Sequence, residues 1–182
     1  MVRVDHVVYG VLDLSAAGGR LADLGLPSVE GGRHPQFGTE NRIAGLGDCY
    51  LELLAGPPIA ALLAGEDDRL LGWMVRTDDI VADARRIGLD VLPMSRETPD
   101  GEELRWRLAG FGLGGPMPVF IQWDTLWTPG GDARLVRLEV PCDADRLREW
   151  VGGASLPVRC VGESGRFAAE IATADGRSVR LA

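Results

Sequence analysis

Residues 2–11 read Val2-Arg3-Val4-Asp5-His6-Val7-Val8-Tyr9-Gly10-Val11, and the chain continues at once with Leu12-Asp13-Leu14-Ser15-Ala16-Ala17. The valine-rich, weakly alternating first stretch predicts a strand buried on both faces or nearly so. Asp13 or Ser15 then caps a helix whose apolar face is Leu14, Ala17, Leu21 and Leu24, and Gly25 with Pro27 stops it. Three extended segments follow at Pro27–Gly31, Thr39–Gly45 and Cys49–Ala55, the last two joined by a short turn at Leu46–Asp48.

The same order recurs. Leu71–Thr77 reads as a strand, Asp79 caps a helix with Ile80, Ala84 and Ile87 inward, and Gly88 ends it. Val91–Ser95, Leu104–Gly110 and Val119–Trp123 supply three more strands. A third round runs through Leu135–Val140, a helix near Asp145–Val151, and strands at Leu156–Val161, Phe167–Thr173 and Ser178–Leu181. The aspartates taken as caps, Asp13, Asp79 and Asp145, are spaced by 66 residues at each step. A fixed period of one supersecondary unit marks internal duplication, and such units do not bury an open sheet face alone. The expected organisation is one domain over 1–182, with a first βαβββ module at 1–56, a linker at 57–69 carrying a short helix at Ile59–Leu63, a second module at 70–127 and a third, degenerate module at 133–182.

Composition removes several functions. Of 182 residues, 19 are basic and 27 acidic, for a net charge of −8 and a pI near 4.8, so no basic field draws in nucleic acid or an acidic membrane surface. All the basic residues are arginine, which excludes Schiff-base lysines and a Walker lysine. Two histidines, His6 and His34, cannot make a three-histidine zinc site, and Cys49, Cys142 and Cys160 lack CxxC spacing. An odd cysteine count and an N-terminus that opens on strand residues predict a cytoplasmic protein.

The motifs Asp5 to Val11, Gly32-Arg33-His34-Pro35-Gln36-Phe37-Gly38-Thr39-Glu40-Asn41 and Tyr50-Leu51-Glu52-Leu53-Leu54, in this order within repeated βαβββ units, resemble the vicinal oxygen chelate superfamily, in its glyoxalase-like branch. That resemblance implies an α+β fold in which paired modules curl a mixed sheet into a cup, with the third module closing one side. It implies a small-molecule enzyme, a metal-assisted lyase or isomerase acting on an oxygenated metabolite. The alternative it offers is a metal-free binding protein of the antibiotic-sequestering, bleomycin-resistance type. The superfamily holds a divalent ion on first and fourth strands, which maps here to His6, Glu52 and Gln122, a set chemically suited to Mn, Fe, Ni or Zn. The second module departs from the pattern: Gly72 stands where His or Gln is usual. The partners expected are a small-molecule ligand and, at most, a second copy of the chain in a homodimer.

His6 and Glu52 are also the expected acid/base pair, because histidine titrates near neutrality and a carboxylate fixes its tautomer. If Glu52 faces the cup, so do Tyr50 and Leu54, while Leu51 and Leu53 face the helices. Asn41, Met74, Trp106 and Phe120 are expected on the cup wall. His34 is expected on a glycine-rich rim loop, and Arg76 and Arg96 as forks for a carboxylate or phosphate ester, although arginines at strand ends commonly pair with surface acids. Trp123 and Trp127 read as packing residues, and Cys49 has no base near it in sequence.

Overall fold

The computed structural model describes residues 1–110, 112 and 115–182. Among them four helices and twelve strands form a mixed α+β fold. The first unit is β1 (Arg3–Gly10), α1 (Leu14–Asp23), β2 (Val29–His34), β3 (Thr39–Leu46) and β4 (Cys49–Ala55). After α2 (Pro57–Leu63), the second unit repeats it as β5 (Arg69–Arg76), α3 (Ile80–Ile87), β6 (Val91–Glu97), β7 (Glu103–Ala109) and β8 (Val119–Trp123). Each unit's last strand lies parallel to its first, giving the half-sheets β1-β4-β3-β2 and β5-β8-β7-β6. The halves join along β1 and β5, antiparallel from Arg3↔Arg76 to Gly10↔Arg69, and again at a single pair between β2 and β6, Arg33↔Glu97. The cup is therefore closed into a barrel.

Side-chain alternation sorts the barrel into an outer and an inner face. Val7, Leu51, Leu53, Trp73, Val75 and Phe120 turn outward onto Ala17 and Leu21 of α1 and Ile80 and Ala84 of α3. Burying each large apolar side chain contributes about 1.5–3 kcal/mol. With Leu51 and Leu53 both fully buried, a one-residue slip of β4 would forfeit energy of that order twice while driving Glu52 into the outer core. The inner face carries a second apolar cluster of Leu104, Trp106, Leu108, Val119 and Ile121. The 57–69 segment holds α2, whose Ile59 and Leu63 pack with Val8, Leu54 and Leu71 at one mouth of the barrel.

The third unit, β9 (Arg134–Val140), α4 (Ala144–Trp150), β10 (Val158–Cys160), β11 (Ala168–Ala172) and β12 (Ser178–Leu181), keeps the order of elements but not their wiring. Its sheet runs β10-β9-β11-β12, so β9 lies parallel to the strand immediately after the helix, not to the last strand of the unit. Its apolar residues Leu135, Leu138, Val140 and Ile171 merge with the outer core, and Trp150 Nε1–H donates to the Pro118 carbonyl just ahead of β8 at 2.9 Å.

Two local expectations are corrected. Asp13 and Asp79 do cap α1 and α3, accepting from Ala16 N and Ala82 N, but the cap of α4 is Asp143, which accepts from Arg146 N at 2.8 Å. Asp143 already lies one residue ahead of the first helical turn, and Asp145 pairs with Arg148 on the exposed face. The caps are thus 66 and 64 residues apart. The second strand runs on to His34 because a bulge between Glu30 and Gly32 carries pairing through to His34↔Thr39. His34 is therefore a buried strand residue and not part of a rim loop.

Candidate functional site

The barrel interior holds a cavity of about 250 Å³ lined by side chains of both units. His6 of β1 and Glu52 of the adjacent parallel strand β4 stand side by side on its wall, Nε2 to Oε2 at 3.5 Å. Asn41 of β3 donates its Nδ2–H to Glu52 Oε1 at 2.5 Å. Tyr50, two residues before Glu52 on the same face, stacks on the His6 ring with centroids 4.5 Å apart. Around these polar groups stand Val8, Leu54, Met74, Trp106, Leu108, Val119, Ile121 and Trp123, with Pro58, Ile59 and Leu62 of α2.

Behind His6 lies a residue that alternation assigned to the opposite face. β1 bulges between Val4↔Val75 and His6↔Met74, so Asp5 and His6 together oppose one residue of β5 and both reach the interior. Asp5 has no exposed surface. Its Oδ1 accepts from His6 Nδ1–H at 2.6 Å, and its Oδ2 accepts from Arg76 Nε–H at 2.6 Å and Trp123 Nε1–H at 3.0 Å. Burial alone would raise this carboxyl, but the His6 hydrogen bond and charge, with Arg76 behind them, outweigh it and hold the group below the ordinary aspartate value. The bond to Asp5 selects the His6 tautomer that presents Nε2 to the cavity. Trp123, read from sequence as packing alone, is both an Asp5 donor and part of the wall, and Trp127 stands edge-on to Tyr50 at 4.9 Å.

His34 and Arg96 meet at the seam between β2 and β6 and line the same cavity. His34 Nδ1 lies 3.2 Å from Thr39 Oγ1, and burial pushes its pKa down. Burial also lowers the Arg96 guanidinium from its ordinary value. Arg76 is absent from the cavity wall; its role is to hold Asp5. Cys49 is buried and its thiol is pushed up to about 12 by burial, which leaves it a poor nucleophile.

The structure does not bring Gln122 or Phe120 to the site. In β8 the inward residues are Val119, Ile121 and Trp123. Phe120 is therefore part of the outer core, and Gln122 lies under α3, where Oε1 accepts from Ile80 N at 2.9 Å and Nε2–H donates to the Asp78 carbonyl at 3.0 Å. The strand is apolar on both faces apart from this glutamine, so its composition carried no parity signal. Gln122 satisfies an N-terminal helix donor. Gln122→Ala is expected to lower stability by about 1 kcal/mol, the usual cost of losing a cap, with ligand binding in the cavity unchanged; urea melts and a binding isotherm check both.

The corrected parity also decides whether the residues present fit a divalent ion. His6 Nε2 and the Glu52 carboxylate are two donors, but the residues facing them from the second unit are Met74, Val119, Ile121 and Trp123. Among the described residues no three of His, Cys, Asp and Glu converge as a ligand set. A catalytic zinc-type site needs three protein ligands, so this donor set does not fit. Met74 is registered opposite His6 and lines the cavity, which makes it the position where a third donor is missing. Met74→His is expected to raise affinity for Zn or Ni at least about tenfold over the natural chain, measured by competition with a colorimetric chelator.

The chain belongs to the glyoxalase-like domain family, whose model matches residues 4–154, and through it to the vicinal oxygen chelate superfamily. It is similar over 99% of its length to a hypothetical protein from Staphylococcus aureus, with 85% of that chain covered, a TM-score of 0.66 and 14% identity. It is also similar to a variant of the Streptomyces coelicolor methylmalonyl-CoA epimerase in complex with 2-nitronate-propionyl-CoA, at 21% identity and a TM-score of 0.52, over 70% of this chain and 98% of that one. A methylmalonyl-CoA epimerase in complex with methylmalonyl-CoA and ammonium aligns at 20% identity and a TM-score of 0.53, covering 71% and 99%. At these identities the likeness is one of fold. No curated protein matches the sequence. No helix among the described residues is long and apolar enough to cross a membrane.

Proposed function

We propose that this protein is a small-molecule enzyme of the isomerase, epimerase or lyase type that moves a proton with His6 and Glu52 and does not rely on a divalent ion to do so. The observation that carries this reading is the buried line from Asp5 through His6 to Glu52 at the floor of an apolar cavity. With Nδ1–H committed to Asp5, neutral His6 offers its Nε2 lone pair, and protonated His6 offers a hydrogen. Glu52, steadied by Asn41, is the second carrier on the neighbouring strand. A carbonyl compound lying in the cavity against both groups would lose a proton from the acidic carbon to one of them and regain it from the other. The surrounding Trp106, Trp123, Leu54 and Ile121 keep bulk water from competing for that proton. The protein is taken to act in the cytoplasm as a monomer or homodimer on a free small molecule, without nucleic acid or membrane.

The apolar, aromatic wall also suits the second reading, a binding protein that sequesters its ligand without chemistry. One experiment separates them. Small oxo-acids, hydroxy-ketones and acyl thioesters are screened for binding by thermal shift, and each binder is incubated with the protein in deuterium oxide and followed by proton NMR. The enzyme reading expects loss of one carbon-bound proton signal, abolished by Glu52→Gln. Binders that exchange nothing faster than in buffer would leave the sequestering protein as the correct description.

A further inference from the structure

Arg96 is 5% exposed and lines the cavity, yet among the described residues no carboxylate lies within ion-pair distance of it. Among the described residues it donates Nη1–H to the carbonyl of Gly31, across the β2 and β6 seam. The seam is built to admit it. Gly32 sits at φ +136, and a Cβ there would stand 2.8 Å from Nη1 and 2.6 Å from the Glu97 carbonyl, so only glycine lets the guanidinium lie against this strand. The contrast with Arg76 is direct: Arg76, also largely buried, is neutralised by Asp5 Oδ2 at 2.6 Å. Glu52, the cavity's own carboxylate, has Oε1 taken by Asn41 and Oε2 turned to His6.

A guanidinium has five N–H donors in a planar fork, and one carbonyl uses a small part of that capacity. Burying a cation with no ion-pair partner is costly, and Glu52, which favours the charged form only from beyond ion-pair distance, leaves the guanidinium's remaining N–H donors without an acceptor at contact among the described residues. A carboxylate entering the cavity supplies that acceptor, through paired N–H to O bonds. Size narrows the class. A cavity of about 150 Å³ accommodates benzene, so about 250 Å³ takes a molecule of roughly ten non-hydrogen atoms. A single guanidinium matches a monoanion better than a phosphate ester's two charges.

We infer that Arg96 is the carboxylate-binding residue of this cavity, and that the substrate is a small organic monocarboxylate with an apolar body whose acidic carbon reaches His6 and Glu52. This rests on the proton-transfer reading for what happens at the far end, and on the Arg96 geometry alone for what is bound.

The test is a matched pair, 4-methyl-2-oxopentanoate and its primary amide, titrated calorimetrically into the natural chain, Arg96→Gln, Arg96→Lys and Glu52→Gln. The carboxylate is expected to bind at least about tenfold tighter than the amide. Arg96→Gln should erase that preference, Arg96→Lys should keep part of it, and Glu52→Gln, which removes a nearby negative charge, should keep or increase it even where proton exchange is lost. The last arm distinguishes failure of this inference from failure of the proposed chemistry. Because Arg96 also ties the seam, a variant-free readout accompanies the titration: in nitrogen-labelled natural protein the Arg96 Nε–H signal should shift on adding the carboxylate and stay in place with the amide. Equal affinity for acid and amide, no binding of either, an unmoved Arg96 signal, or tighter binding of the phosphate ester of 4-methylpentanol would each overturn the assignment.

Discussion

Asp5→Ala is expected to destabilise the fold by about 3–5 kcal/mol, more than any other single substitution at the site. The reason is that three donors converge on one carboxylate with no exposed surface: His6 Nδ1–H, Arg76 Nε–H and Trp123 Nε1–H. Truncation leaves all three donors without their acceptor and the largely buried Arg76, whose Nη2 is already unpaired among the described residues, without its counter-charge. For a domain of this length each kcal/mol moves the melting point by about 2–4 °C, so the drop is roughly 6–20 °C. Its pH dependence has a definite sign. Despite burial, the folded-state pKa of Asp5 is held below the ordinary aspartate value by His6 and Arg76, so its contribution is fully present above the unfolded-state value and is lost as pH falls through the lower folded-state one. Urea melts of the natural chain and the variant should differ most at neutral pH and converge in strong acid. A loss under 1 kcal/mol at pH 7 would mean that Asp5 is not the anchor of the site.

Glu52→Gln is expected to lower the rate of proton exchange on a bound ligand by about 10²–10⁴-fold while leaving ligand affinity within a few fold. Glutamine keeps the size of the side chain and can still pair with Asn41, so the wall is preserved while the proton carrier is removed. His6→Gln should lose a similar factor. Asp5→Asn supplies the internal comparison: it keeps an acceptor for one donor but removes the charge that fixes the imidazole, so its loss should lie between the natural rate and that of His6→Gln. If Glu52→Gln exchanges at the natural rate, the His6 and Glu52 pair, 3.5 Å apart on adjacent strands, is not the proton path.

Much of this site was legible residue by residue. His6, Asn41, Glu52, Met74, Arg96, His34 and Trp106 do line one cavity, although His34 does so from the end of β2 and not from a loop. The alternation of β4 was readable because Glu52 is the single charged residue among Tyr50, Leu51, Leu53 and Leu54, and its parity follows from which leucines the helices must bury. In β8 no such contrast exists, and Gln122 was read inward when its amide in fact serves the start of α3. Asp5 illustrates a different failure: strict alternation sets it opposite His6, and a single extra residue in the pairing of β1 with β5 brings it back to the same side.

What the sequence by itself determined are the properties that arise from neighbours along the chain. The order of strands and helices, the caps at Asp13 and Asp79, the unit that recurs and the lack of lysine all follow from local spacing and composition, while the pairing of His6 with Glu52 came from the family resemblance. The tertiary structure alone decided whatever depends on partners distant in the chain. Whether β1 bulges is set by its register against β5, which residues of β8 face inward is set by α3 resting on it, and whether Arg96 finds an ion-pair partner is set by how β2 closes on β6. A period of two residues predicts a face only while pairing is regular, and pairing is an energy shared between strands, so one strand's sequence cannot contain it.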